Sequence, residues 1–263
     1  MIQSDDNVGH RISIGNDAGA CVLRTRNVSK PFGTALILPG ANCRAAKYDW
    51  LADGLSDYNF AVCIIDPPLR MRPRLSEVLG EAKGHFVTPP MLRNALQYIT
   101  DRWIDRPLIL IGHSLGGAVL LESLDPQEAC RHPQQSDWGA LVQYPPNLHA
   151  VITLGSALGT HVGTLQFPWR SNGPLSRQSD IVVDLIAGDA DTLVPAHAVR
   201  QTARRFTPPA DFFQITGATH FGWTYPSAAP ISPGKLRASH ILDPDHQREI
   251  TIQRIGGHLP STP

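Results

Sequence analysis

Leu108-Ile109-Leu110-Ile111-Gly112-His113-Ser114-Leu115-Gly116-Gly117 decides the fold. An apolar run reads straight into a serine bracketed by glycines, and Ala118-Val119-Leu120-Leu121 continues beyond it as an apolar helix. A G-x-S-x-G at the junction of a buried strand and a helix is the nucleophile-elbow pattern. Side chains two residues either side of the serine would clash across so sharp a turn, and Gly112 and Gly116 fill those places. The turn aims the Ser114 hydroxyl away from the sheet. It also leaves the backbone N–H of Leu115 at a helix N-terminus, where a developing oxyanion is stabilised.

Upstream, His10 to Ile14 and Ala20 to Arg26 read as an antiparallel hairpin around Gly15-Asn16-Asp17. Thr34 to Leu38 is uniformly apolar, as a strand covered on both faces must be, and ends in the turn Pro39-Gly40-Ala41-Asn42. A helix over Ala45 to Tyr58 and a strand over Phe60 to Ile65 complete a βαβ unit. From Pro67 to Val87 the composition turns to Pro, Arg and Gly, with a short amphipathic piece at Leu75 to Ala82, which reads as an excursion over the active-site edge. Apolar positions Met91, Leu92, Ala95, Leu96 and Ile99 predict a helix over Pro90 to Trp103.

Downstream of the elbow helix, Leu115 to Leu124, a polar connection from Asp125 to His149 leads to a strand at Ala150 to Leu154. A Gly/Pro-rich loop from Gly155 to Asp180 follows, then a strand at Ile181 to Ala187, a helix at Ala196 to Phe206, a last strand at Asp211 to Ile215 and a final helix at Asp245 to Ile255. The alternation predicts an α/β fold: a mostly parallel sheet of about eight strands with helices on both faces. At 263 residues, one domain spanning 1–263 is expected, with covering loops at 67–87 and 155–180.

Lys plus Arg and Asp plus Glu both number 23, so the net charge is zero, and no block of like charge points to nucleic acid or an anionic surface. The ligand expected is a small molecule. Cys21, Cys43, Cys63 and Cys130 lack C-x-x-C spacing, so no disulfide framework is indicated. The N-terminal residues lack the basic and apolar regions of a signal peptide and no apolar run approaches a membrane span. A soluble, cytoplasmic protein is therefore expected, and assembly state is not legible.

A serine hydroxyl attacks only when a base takes its proton, and the base needs a carboxylate to orient it. Of the eleven histidines, His220 is the candidate base because it lies just past the last core strand in a Gly-containing loop. His113 reads as structural. Asp189 and Asp191 compete as the acid; Asp191 is preferred because Asp189 still belongs to the tight turn after its strand. Asp66 also ends a strand, but ahead of the serine in the chain, where a turn role is the plainer reading. His240, Asp243 and His246 match no strong ligand motif, so no metal is expected. No cofactor is called for. The loop after Thr34 to Leu38 is where a second oxyanion donor belongs, with Gly40 allowing close approach and Ala41 donating. Asn42, Trp169 and Trp223 are candidate substrate contacts, although a buried or rim aromatic is the plainer reading of each tryptophan.

These residues resemble the α/β-hydrolase family. Gly112 to Gly117 looks like its nucleophile elbow, Gly188 to Pro195 its acid loop, Gly217-Ala218-Thr219-His220-Phe221 its histidine loop and Pro39-Gly40-Ala41 its oxyanion loop, the whole spanning Lys30 to His258. The Pro-Gly turn, the Thr-His-Phe ending and a C-terminal helix containing Gln247 are similar to the branch of chlorophyllases, cutinase-like polyester hydrolases and platelet-activating-factor acetylhydrolase-like enzymes. Where the polyester-cleaving members carry a Trp, this chain has Gly155-Ser156-Ala157-Leu158, so polyester cleavage is not implied. The resemblance implies a cofactor-free serine hydrolase acting on a carboxylic ester with a small or hydrophobic acyl part through an acyl-enzyme. Acyltransfer, thioester or amide cleavage and perhydrolysis by the same residues, and a ligand receptor on the same scaffold, are the alternatives.

Overall fold

The computed structural model describes residues 10–15, 20–26, 28–71, 83–124, 144–158, 161–162, 165–166, 175–176, 180–224 and 241–260 of the 263. Its centre is an eight-stranded sheet. Strands β1 (His10–Ile14) and β2 (Cys21–Arg26) pair antiparallel, as the hairpin signal predicts. They are followed by β3 (Gly33–Leu38), β4 (Phe60–Asp66), β5 (Leu108–His113), β6 (Leu148–Leu154), β7 (Val182–Gly188) and β8 (Asp211–Ile215). The spatial order is β1-β2-β4-β3-β5-β6-β7-β8, with β4 antiparallel to β2 and every later pairing parallel.

Burial explains the uniform apolar spelling of the central strands. All of β3 and β5 is buried, because helices cover both faces. Within β3, Leu36 and Leu38 turn toward one core and Ala35 and Ile37 toward the other, the period of two that a pleated strand imposes. The first core is closed by α2 (Pro89–Trp103), α3 (Leu115–Ser123) and α4 (Ala196–Arg204), through residues such as Met91, Val119 and Val199. The second is closed by α1 (Asp49–Asp57) and α5 (Pro244–Gly256), through Leu51, Leu55 and Ile255. The single helix predicted over Ala45 to Tyr58 instead opens as a 3-10 turn, Ala45–Tyr48, before α1. Its start is pinned where the Ala45 N–H donates to Asp66 Oδ1 at 3.2 Å.

Asp66 is more than a turn residue. Its buried carboxylate accepts from Arg44 at 2.7 Å and Arg11 at 2.9 Å, tying β1 and the segment after β3 to the end of β4. Burial alone would raise its pKa, but the Arg44 hydrogen bond and the flanking positive charges outweigh burial and hold it below the ordinary carboxylate range.

A second buried carboxylate, unread in the sequence, anchors the C-terminal helix. Asp184 lies mid-strand in β7 with no exposed surface, and its Oδ2 accepts from Arg254 Nε and His258 Nε2, each at 2.7 Å. Burial raises its pKa, yet the hydrogen bonds from His258 and Arg254 lower it further than burial raises it. A carboxylate depressed in the folded state stabilises above its unfolded pKa, and that contribution is lost as pH falls through the lower, folded value. Asp184→Asn is expected to cost about 2–4 kcal/mol at neutral pH, less than for a fully desolvated pair because Arg254 is partly exposed. Urea unfolding at neutral and acidic pH measures both the loss and the shallower acid dependence expected of the variant.

Among the described residues no helix is long and apolar enough to cross a membrane. The three described cysteines, Cys21, Cys43 and Cys63, form no disulfide; Cys130 lies outside the described residues.

Candidate active site

The loops that carry the predicted chemistry leave the sheet at the carboxyl ends of its parallel strands, where open α/β sheets place their sites. Ser114 follows β5, Gly40 and Ala41 follow β3, Asp191 follows β7 and His220 follows β8. Ser114 sits at φ 50, ψ −117, a backbone region that L-residues rarely occupy, and caps α3. The turn is held from outside: the Ser114 N–H donates to Leu154 O at 2.9 Å and Ser156 Oγ donates to Ser114 O at 2.9 Å. A side chain at Gly112 would meet the backbone of Gly116 and Gly117 across the turn. At Gly116 the obstacle is a different one from that expected, the carbonyls of Leu38 and Pro39 on the neighbouring β3 loop.

Ser114, His220 and Asp191 come together. His220 Nε2 lies 3.0 Å from Ser114 Oγ, and His220 Nδ1 lies 2.8 Å from Asp191 Oδ2. The side chain of Asp191 is wholly buried, and its Oδ1 accepts two backbone N–H groups, from Leu193 at 2.8 Å and Val194 at 2.7 Å. These bonds fix the carboxylate in place and leave Oδ2 as the acceptor facing His220. His220 must therefore carry its proton on Nδ1 and present a bare Nε2 to the serine hydroxyl. Asp189, the competing acid, is turned away; its Oδ1 accepts from the Gly217 N–H at 2.6 Å and so ties the end of β7 to the histidine loop.

The histidine loop is clamped by α5. The Gln247 amide bonds both ways with the Thr219 backbone, accepting its N–H at 3.1 Å and donating to its carbonyl at 3.0 Å. Arg248 Nε donates to Gly222 O at 3.1 Å. Only the family resemblance singles out Gln247, since a glutamine on an ordinary helix carries no local signal of such a role.

Trp223 is a correction. Expected beside the substrate, its indole is fully buried, donates from Nε1 to Thr251 Oγ1 at 3.0 Å and lies 5.8 Å from the His113 ring. It buttresses the histidine loop from behind. Trp169 lies outside the described residues, as do the Leu75 to Ala82 piece and most of the 159–179 stretch. Asn42 is exposed at φ 58, and its N–H and Oδ1 engage His85 O at 2.8 Å and His85 N–H at 3.1 Å. That pairing ties the β3 turn to the short antiparallel ladder of Leu69–Met71 with Lys83–His85.

Gly155 follows the end of β6, and the geometry gives the reason for glycine there. It has φ +55, and a Cβ there would lie 3.0–3.2 Å from Trp223, Asp191 Oδ2 and His220 Nδ1. A small crevice opens beside Ser114, lined by Leu115, Ala118, Gly155, Ser156, Ala157 and Val194. Neither the Ala41 nor the Leu115 N–H bonds to any group among the described residues. No group of three metal-ligating side chains occurs among the described residues; Asp243 caps α5, accepting from the Asp245 N–H at 2.9 Å, and His240 lies outside them.

No protein-family model matches the chain, and no curated protein matches it by sequence. Solved structures do. Dienelactone hydrolase from Anabaena variabilis superposes with a TM-score of 0.58 at 14% identity, covering 96% of this chain and 98% of its own. Mouse alpha/beta hydrolase domain-containing protein 10 gives 0.56 at 15%, covering 94% and 97%, and an α/β serine hydrolase without lid from Xanthomonas campestris gives 0.56 at 14%, covering 97% of both chains. The chain has the α/β-hydrolase fold.

Proposed function

We propose that this protein is a serine hydrolase that cleaves a carboxylic ester with a small or hydrophobic acyl part through a covalent acyl-enzyme. The observation that carries the reading is the line from Ser114 Oγ through His220 to Asp191, with both contacts at 3.0 Å or less and the serine on a strained elbow. Ser114 Oγ attacks the ester carbonyl carbon while its proton passes to His220 Nε2. Asp191 holds the imidazolium through Nδ1–H, and the N–H groups of Ala41 and Leu115 receive the oxyanion. Collapse expels the alcohol, which takes the proton from Nε2. Water then repeats the sequence on the acyl-enzyme, with His220 as base, and releases the acid.

The small apolar groups of the crevice, Ala118, Ala157 and Val194, favour a short or slender acyl chain over a bulky one. A place in the chlorophyllase, cutinase-like and platelet-activating-factor acetylhydrolase-like branch is supported by the Pro39-Gly40 turn, the Thr219-His220-Phe221 ending and Gln247. The test is labelling with an organophosphonate, followed by turnover of p-nitrophenyl esters of increasing acyl length. One label per chain on Ser114, with turnover fastest for the shorter esters, is expected; a protein that takes no label overturns the assignment. Labelling without turnover on any ester would instead favour a receptor on this scaffold.

A further inference from the structure

We propose that Tyr48 and His113 form a buried relay that holds the oxyanion turn and the general base in register, with His113 fixed as the Nε2–H tautomer. Both are positioning residues in the reaction proposed above, and the inference rests on that reading for its catalytic consequence though not for its geometry.

Four groups lie in one hydrogen-bonded line. The Gly40 N–H donates to Tyr48 Oη at 2.8 Å, Tyr48 Oη lies 2.8 Å from His113 Nδ1, and His113 Nε2 lies 3.2 Å from His220 O. Tyr48 is fully buried and His113 nearly so. The direction of every proton follows from the ends. A carbonyl only accepts, so His113 Nε2 must bear hydrogen. Burial first, and then the neighbouring His220, push the His113 pKa well below its ordinary value, so the ring is neutral and its Nδ1 is bare. Tyr48 must then donate to Nδ1 while accepting from Gly40. The relay runs one way, from the turn after β3 to the backbone of the residue that carries the base.

Its position gives it leverage on the chemistry. A Cβ at Gly40 would lie 2.8 Å from His113 Nδ1 and 3.2 Å from Ser114 Cβ, so the turn is packed directly on the relay and the nucleophile. The His113 and His220 rings lie 4.8 Å apart at 39°. When His220 takes the serine proton, its cation faces a neutral ring; a second cation there would lower the proton affinity of the base. Among the described residues, the other rings facing His113 are Trp223, 5.8 Å away, and Tyr48, which the Cys43 thiol also approaches from the loop side. None of these supplies a negative charge that would favour His113 as a cation.

Imidazole nitrogen resonances of the 15N-labelled protein test the tautomer without any turnover. The signal that vanishes in His113→Gln is expected to show a protonated Nε2 and a bare Nδ1, unchanged as pH crosses about 6.5, where a free histidine titrates. The opposite tautomer, or titration in that range, overturns the relay while leaving the hydrolase reading in place. Kinetics test the consequence. Tyr48→Phe is expected to lower kcat on the order of 10-fold with KM nearly unchanged, because a displaced oxyanion turn costs the transition state more than the bound ester. His113→Gln keeps an N–H for the His220 carbonyl and is expected to retain more kcat than His113→Leu. Wild-type kcat in Tyr48→Phe, or equal losses in the two His113 variants, overturns the positioning role. Should the variants fail to fold, the wild-type tautomer still decides it, with the His113 ring signals assigned through bonds from the backbone of that residue.

Discussion

Ser114→Ala is expected to lower kcat on a short p-nitrophenyl ester by about 10⁴- to 10⁶-fold while the melting temperature stays near that of the wild type. The size follows from what is lost. Without Oγ there is no acyl-enzyme, and only the oxyanion donors and substrate binding remain to assist direct attack by water. The fold survives because the elbow is built by its neighbours and not by the hydroxyl. Gly112, Gly116 and Gly117 leave room for the turn, and the Ser114 backbone is bonded to Leu154 and Ser156. Alanine inherits the strained φ of 50 at no greater cost than serine, since both carry a Cβ. Steady-state assays with thermal denaturation measure the two effects together, and a variant retaining more than a few per cent of wild-type kcat would sink the nucleophile assignment.

The parts of this site that were legible in the sequence are those whose meaning is local. Ser114 is spelled by its own turn, and His220 and Asp191 by lying just past apolar strands in Gly-containing loops. The sheet was legible for the same reason, because strands buried on both faces are apolar throughout. What the sequence hid depends on partners far along the chain. Tyr48 lies 65 residues from His113, and Gln247 lies 28 from Thr219, on helices that look like any others. Asp184 was the exception that carried a signal, an acid within an otherwise apolar strand, but its partners Arg254 and His258 become neighbours only after α5 packs on the sheet. Trp223 had two readings in the sequence because an aromatic beside a histidine loop has the same spelling whether it faces substrate or core; the buried one holds.

Asp191→Asn is expected to cost about 10⁴-fold in kcat, and Asp189→Asn within about 3-fold of none, although the two acids are separated in sequence by a single alanine. The argument is one of proton placement. Asp191 Oδ1 accepts the N–H groups of Leu193 and Val194 at 2.8 and 2.7 Å, and only an oxygen satisfies both. An asparagine must therefore keep its carbonyl there and turn its NH₂ toward His220 Nδ1, the place now held by Oδ2 at 2.8 Å. Facing a donor, Nδ1 gives up its proton and His220 becomes the Nε2–H tautomer. The nitrogen that should receive the serine proton is then occupied, and the imidazolium has lost its counter-charge. At position 189 the contact in question is one accepted N–H, from Gly217, which an asparagine carbonyl accepts equally well. Steady-state kinetics of the two variants measure the contrast, and a larger loss at 189 than at 191 would transfer the acid's role to Asp189.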